Sequence, residues 1–432
     1  MVVDTAAIRP GYLRRIVDAE LDDLFASLPA IVIEGAKGVG KTATASQRAG
    51  TIHPLDDPAR RSIASADPPG MLDATVPILI DEWQLVPEFW DLVRRRVDGG
   101  APPGSFLLTG SATPSGQATH SGAARIVSIR MRPLALAERL DDPPTVSLAE
   151  MVSGTQPAVS GTTALRLQDY VGEILASGFP GLRGLSGRPL RAQLDGYLRR
   201  IVDRDFPELG RPLRAPATLQ RWMAAYAAAS STTASYEAIR DAATAGQSEK
   251  PARTTVNAYR DVLERLWVLD PIPAWLPTRN RFAQLSSPPK HQLVDPALAA
   301  RLLGVDAGAL LSATPARPHV PRDGTLLGSL FESLVALSVR VYAQACEAST
   351  MHLRTARGER EVDLVVERAD GRVVAIEVKL ARDADDQSVR HLKWLAGKLG
   401  DDLLDAVVVT AGEQAYRRAD GIAVVPAALL GP

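Results

Sequence analysis

Gly35, Gly40, Lys41 and Thr42 stand in the spacing G-x-x-x-x-G-K-[ST], directly behind the apolar run Ile31-Val32-Ile33. A lysine and a hydroxyl at the end of a glycine-rich turn suit the binding of phosphate. The glycines let the backbone of Gly35, Ala36, Lys37, Gly38, Val39 and Gly40 curl until successive N–H groups converge on phosphate oxygens. A helix opening near Lys41 adds its positive end to that nest. Further on, Ile78-Leu79-Ile80-Asp81-Glu82 is an apolar run that ends in two acids. Asp81 at such a tip, with the Thr42 hydroxyl, is placed to hold Mg²⁺. Glu82, one residue on, is placed to accept a proton from a water that attacks a γ-phosphate. A third run, Ser105-Phe106-Leu107-Leu108-Thr109-Gly110-Ser111-Ala112, ends in small hydroxyls. Thr109 or Ser111 would touch the γ-phosphate or the attacking water there, although capping the strand is the simpler role for each. The strand-tip acids point to water as acceptor and so to ATP hydrolysis. A P-loop kinase, with a small-molecule acceptor beside the γ-phosphate, is the alternative from another class.

A second constellation lies near the other end. Residues 326–343 have helical spacing and carry Glu332; residues 361–367 and 372–380 alternate as two strands around the turn Ala369-Asp370-Gly371. Side chains alternate across a strand, so Glu377 and Lys379 share a face, and Asp363 comes from the partner strand. One helix carboxylate, one strand carboxylate and E-x-K on the next strand resemble the PD-(D/E)xK nuclease site. Glu332, Asp363 and Glu377 would then hold Mg²⁺, Lys379 would sit by the activated water, and Gln387 and Arg390 would bind phosphate or orient the site. Spacing alone favours a polar-faced hairpin beside an ordinary helix.

The elements that must position these residues follow from periodicity. A lead-in helix is expected over Tyr12 to Ala26, strands over Ala30 to Glu34, Thr51 to Leu55 and Ile126 to Met131, and a helix from Glu88 to Val97 that turns Arg94-Arg95-Arg96 outward. Arg125, after the Gly/Ser/Thr-rich stretch from Pro114 to Gly122, is a candidate finger acting on the nucleotide of a neighbouring copy in a homo-oligomer. Pairing with a local carboxylate is its other reading. The segment from about Leu140 to Thr163, rich in Asp, Pro, Gly, Ser and Thr, reads as a linker or exposed crossing. Helices follow over Leu165 to Asp205, Leu219 to Ala228, Tyr236 to Ala243 and Arg253 to Trp267. The last three suit a winged helix-turn-helix that would offer Arg253, Thr254, Asn257 and Arg260 to a groove. The same fold serves protein contacts, so DNA or RNA and protein ligands both stay open.

Composition sets the frame. The 432 residues exceed one ordinary core, and 46% apolar with 23% charged residues is the balance of a folded chain. Lys plus Arg (49) nearly cancels Asp plus Glu (50), so overall charge gives no argument for nucleic acid or a membrane. Cys346 alone forms no internal disulfide and suits a reducing compartment. With no apolar leader and no uninterrupted apolar run of span length, a cytoplasmic chain without membrane contact is expected.

The motifs E-G-A-K-G-V-G-K-T, L-I-D-E-W-Q, L-L-T-G-S-A and A-R-I-V-S-I-R-M-R-P-L-A-L-A-E resemble the prokaryotic family of AAA-type ATPases with a C-terminal, restriction-endonuclease-like domain of unknown function. Ser177-Gly178-Phe179-Pro180, the run Tyr197 to Asp205 and the closing E-V-D and E-V-K motifs extend the resemblance over most of the chain. A Gly-Arg pair before the fifth strand is usual there; here Ala124 precedes Arg125. The resemblance implies an α/β chain in three parts: an AAA-type P-loop domain over 1–145, a helical middle with a winged-helix element over 146–290, and an α/β restriction-nuclease-like domain over 291–432. It implies ATP and Mg²⁺ at the first site. For the C-terminal part it leaves two outputs, an ATP-controlled nuclease using Asp363, Glu377 and Lys379, or a binding and assembly module in a nucleotide-dependent switch.

Overall fold

The computed structural model describes residues 11–111, 123–209, 215–245, 251–277, 287–312, 325–355 and 358–432. The stretch from Pro114 to Gly122 therefore lies outside the described residues. The chain forms two compact units, one of Met1–Arg132, Phe206–Arg211 and Val262–Val268, the other of Pro133–Asp205, Pro212–Asp261 and Leu269–Pro432.

In the first unit five parallel strands, β1 (Ala30–Glu34), β2 (Thr51–Pro54), β3 (Ile78–Asp81), β4 (Phe106–Gly110) and β5 (Val127–Arg130), lie in the order β2-β3-β4-β1-β5. The three central strands are apolar because helices cover such a sheet on both faces. Ile31, Val32, Ile78, Leu79, Ile80, Leu107 and Leu108 are all fully buried, each contributing roughly 1.5–3 kcal/mol relative to exposure. Register aligns the strand tips: Asp81 pairs with Thr109, and Glu34 with both Gly110 and Arg130. Open parallel sheets bind ligands at these carboxyl ends. The lead-in helix is Val17–Ser27, shorter than expected at its start. The Arg15 N–H donates to the Asp18 carboxylate at 2.6 Å, which closes the first turn and leaves residues 12–15 to run beside the loop.

The second unit is built on a seven-stranded mixed sheet. Its strands are β7 (Gly161–Thr162), β8 (Ser349–Arg354), β9 (Glu361–Glu367), β10 (Val373–Lys379), β11 (Leu403–Thr410), β12 (Gln414–Arg417) and β13 (Ala423–Pro426), in the order β7-β12-β13-β11-β10-β9-β8. The short β6 (Val146–Ser147) pairs with β14 (Leu430–Gly431). The segment expected as a linker is thus part of this unit. It supplies β6, the helix Leu148–Ser153 and β7, and it is tied down where Arg417 donates to the Pro157 carbonyl and Arg368 to the Val152 carbonyl. Its Pro, Ser and Thr content hides edge strands too short to show a period.

The helices Leu167–Ala176, Gly187–Arg200, Pro216–Ala228, Tyr236–Thr244 and Arg253–Arg265 stand near their expected ranges. Leu269 and Ile272 pair antiparallel with Leu293 and Lys290. Thr325–Ala345 is a single long helix. Its stretch Leu326–Ala345 is long and apolar enough on average to cross a bilayer, but Glu332 and Arg340 interrupt it and 61% of that window is buried inside the fold, as in a core helix.

Candidate functional site

The loop after β1 needs its glycines. Gly38 and Gly40 hold φ values of 83° and 104°, and a Cβ on Gly35 would lie 2.1 Å from the Met131 carbonyl oxygen. The helix Lys41–Ser46 starts at the end of this curl. Lys41 is only 4% exposed, and its Nζ donates to the carbonyls of Gly35 at 2.9 Å and Ala36 at 3.0 Å. The ammonium is thereby held inside the loop on neutral partners. Burial pulls it down to about 8, against the raising pull of the Glu82 and Asp81 charges.

Strands β3 and β4 deliver the other side. The Thr42 hydroxyl donates to Asp81 Oδ1 at 2.7 Å, and the Thr109 hydroxyl donates to the same oxygen. Burial raises the Asp81 carboxyl above the usual range, which the two hydroxyls oppose. Glu82 leaves the strand in the left-handed conformation, φ 57° and ψ 47°, which swings its carboxylate over the strand ends. There Ser111 donates to Oε1 at 2.8 Å and Gln84 to Oε2, while the Glu82 N–H donates to Thr109 Oγ1 at 3.3 Å. Thr42, Asp81, Glu82, Thr109 and Ser111 form one hydrogen-bonded set, and the Lys41 ammonium beside it feels the charges of Asp81 and Glu82. Lys37 stands apart in the loop, half exposed and 3.9 Å from Glu208.

The donor set fits Mg²⁺ and a phosphate chain. Asp81 and Thr42 offer hard oxygen ligands in contact with each other, and the positive-φ glycines leave no side chain where a phosphate would approach.

Four residues at this site were not singled out by sequence. Arg15 donates to the Val39 carbonyl at 2.9 Å and to the Arg132 carbonyl at 2.9 Å, bracing the loop from outside. Tyr12 joins Asp18 at 2.7 Å and Thr44 at 2.8 Å. Gln84 fixes Glu82. Arg130 stands opposite Glu34 in the register, its guanidinium 3.7 Å from the Trp267 ring centroid, and its charge is felt by Lys41. Gln84 and Arg130 had a signal, through their places in D-E-W-Q and in A-R-I-V-S-I-R.

Arg125 does not join the set. It precedes β5, at the end of the sheet opposite the loop, where it pairs with Asp98 at 2.8 Å. The local-carboxylate reading is the one realised within the chain. Ala124 before it has φ 62°, in the left-handed region that favours glycine.

In the second unit the hairpin forms as expected, with Ile376 opposite Leu364. Asp363 Oδ2 accepts the Val378 N–H at 2.9 Å, and Lys379 Nζ donates to Glu377 Oε1 at 2.7 Å. Among the described residues no group of three or more His, Cys, Asp or Glu side chains is placed to hold a metal ion. Instead the buried Lys290 ammonium reaches Glu332 at 2.8 Å, Asp363 at 3.1 Å and Glu361 at 3.4 Å. Gln387 lies in the turn before the helix Arg390–Leu399, and Arg390 bonds its neighbour His391 at 3.0 Å. On the third helix of the middle region Arg253 is paired with Glu237, and Arg260 lies over the Tyr236 ring at 4.9 Å.

Residues 27–140 match the model of an AAA domain family. Residues 167–309 and 327–430 match two domains of unknown function, DUF8612 and DUF4143, respectively. An uncharacterized protein of Mycobacterium tuberculosis and another of Mycobacterium bovis are each 26% identical over 424 residues, 96% of this chain and 83% of theirs. A Walker-type ATPase of Pyrococcus abyssi superposes with a TM-score of 0.40 at 15% identity, covering 69% of this chain and 98% of that one, a likeness too slight to bear on function. The N-terminal region is thus similar to an AAA domain family.

Proposed function

We propose that the chain hydrolyses ATP with Mg²⁺ and uses the cycle as a switch. The observation that carries this reading is the Asp81–Glu82 tip. One carboxylate is bonded to the loop hydroxyl of Thr42, and the next is held by Ser111 and Gln84. Thr42 and Asp81 would hold Mg²⁺, which would offset the negative charge of the phosphates. Lys41 exchanges its carbonyl partners for β- and γ-phosphate oxygens, and a bound anion restores the proton affinity that burial removed. Glu82 takes the proton from a water whose oxygen bonds to the γ-phosphorus as the bond from that phosphorus to the bridging oxygen breaks and ADP leaves. Thr109 and Ser111 set the direction of the two carboxylates. Replacement of Glu82 by Gln keeps nucleotide binding and removes turnover; turnover equal to that of the native chain would overturn the assignment. Appearance of a phosphorylated small molecule in place of free phosphate would move the reading to a kinase.

The output we assign to the switch is altered binding of a partner. Arg253, Thr254 and Asn257, all exposed on one helix, are the surface it offers to DNA or RNA. Salt-dependent DNA binding that survives their replacement by Ala would remove that ligand from this surface. The lone cysteine supports work in a reducing cytoplasm.

A further inference from the structure

The second unit holds a buried ionic centre that the ATPase reading does not use. Lys290 is 0% exposed. Its backbone is fixed by reciprocal hydrogen bonds with Ile272, both 2.9 Å, so its Nζ has little freedom of position. Three carboxylates surround that ammonium, from the helix Thr325–Ala345 (Glu332) and from β9 (Glu361 and Asp363). The Lys290 Nζ donates to Glu332 Oε1 and Asp363 Oδ1, and Glu361 adds a third negative charge at 3.4 Å. The separations of 2.8–3.4 Å are those of N–H···O contacts, where Mg²⁺ would draw oxygens to roughly 2.0–2.1 Å. The remaining oxygen of Asp363 is taken by the Val378 N–H. Glu361 has a second cation in Arg354, at 3.3 Å.

Glu377 completes the centre from β10. It is 5% exposed; Oε1 is paired with Lys379, and Oε2 is buried with no hydrogen-bond partner. A naked buried carboxylate oxygen is costly.

We infer that the Lys290 ammonium is a built-in cation occupying the place between Glu332 and Asp363 that a divalent metal would take in a nuclease of this outline, so that the second unit is held together by a lysine and is not a metal-dependent cleavage centre. A divalent ion entering beside the ammonium would meet a like charge in a buried setting and find Glu332 Oε1 and both Asp363 oxygens already engaged. The inference stands independently of ATP hydrolysis, since none of these residues belongs to the loop site.

The test uses the full chain carrying Asp81→Asn, which removes the carboxylate expected to bind metal in the first unit, and Mn²⁺ followed by calorimetry. This background should show no Mn²⁺ binding that depends on Asp363. Adding Lys290→Ala should create one site per chain, and a further Asp363→Asn should abolish it. Failure of a folded Lys290→Ala chain to gain Mn²⁺ would overturn the claim that lysine holds the metal's place. Should that variant not fold, the melting temperature of the Asp81→Asn chain decides: it should be the same in Mn²⁺ and in chelator. A Mn²⁺-dependent rise that Asp363→Asn removes would sink the inference. So would Mg²⁺-dependent nicking of DNA by the native chain that Asp363→Asn eliminates.

Discussion

The two units each bring a buried lysine to strand-tip carboxylates, and they use it in opposite ways. Lys41 rests on two peptide carbonyls, and Asp81 is bonded to two hydroxyls. Neither charge is cancelled by a direct ion pair, so burial dominates: the ammonium is lowered, the carboxyl raised, and both are better satisfied once a phosphate chain and its metal arrive. Lys290 is the reverse case. Its three carboxylates push the ammonium far above its ordinary value despite complete burial, and Asp363 is lowered. One centre has unspent charge and can act on a ligand; the other has spent its charge on itself. Residue types alone do not make a site, because what distinguishes the two is whether each charge already has its partner.

The largest effect that would break this contrast is catalytic. Glu82→Gln should lower kcat by about 10²–10⁴-fold, the usual contribution of a positioned base, with nucleotide affinity retained. Steady-state phosphate release beside fluorescent-nucleotide titration measures both. Next in size is stability. Lys290→Met leaves Glu332, Glu361 and Asp363 facing one another and should cost about 3–5 kcal/mol in denaturant unfolding, the range for removing one partner of a buried pair. Lys41→Met should cost far less, because the ammonium it removes is strained by burial, yet it should abolish nucleotide binding. Equal losses in the two variants would show that the lysines do the same job.

What the sequence revealed follows the same line. The loop, the Asp-Glu tip and the hydroxyl strand end were legible because each is a local pattern whose spacing is fixed by one turn or one strand. The hairpin was legible for the same reason, through Ala369-Asp370-Gly371. Lys290 was not, since its partners Glu332 and Asp363 lie 42 and 73 residues away and no period links them. Arg15 was read as one more helical residue, while its function depends on carbonyls 24 and 117 residues distant. The Leu140 to Thr163 segment misled because its strands are held by backbone pairing at a sheet edge, which composition does not report.

A pH titration sharpens the comparison at lower cost. Glu332 and Glu377 keep their protons up to about 8 in the folded chain, whereas in an unfolded chain they lose them near 4.3. Between those values the folded state binds more protons, so stability falls as pH rises from about 4.3 through 8 and levels off above that. Glu377→Gln, which keeps the shape and removes the titration, should flatten part of this slope in urea unfolding followed across pH. An unchanged slope in both Glu332→Gln and Glu377→Gln would mean that these carboxylates are ionised in the folded chain at neutral pH.

The smallest expected effect concerns Arg125, whose pairing with Asp98 is exposed on both sides. Surface pairs of this kind contribute little, and the residue lies at the end of the sheet away from the loop. Arg125→Ala should therefore leave melting temperature and kcat near native values, with turnover per chain independent of protein concentration. A finger supplied to a neighbouring copy would behave otherwise, since such an arginine accelerates phosphoryl transfer by about 10³–10⁵-fold. A loss on that scale, rescued by mixing with chains that carry Arg125 but lack Lys41, would require the opposite end of the sheet to face a second copy's loop, and the first unit would then complete its unspent charge from outside the chain.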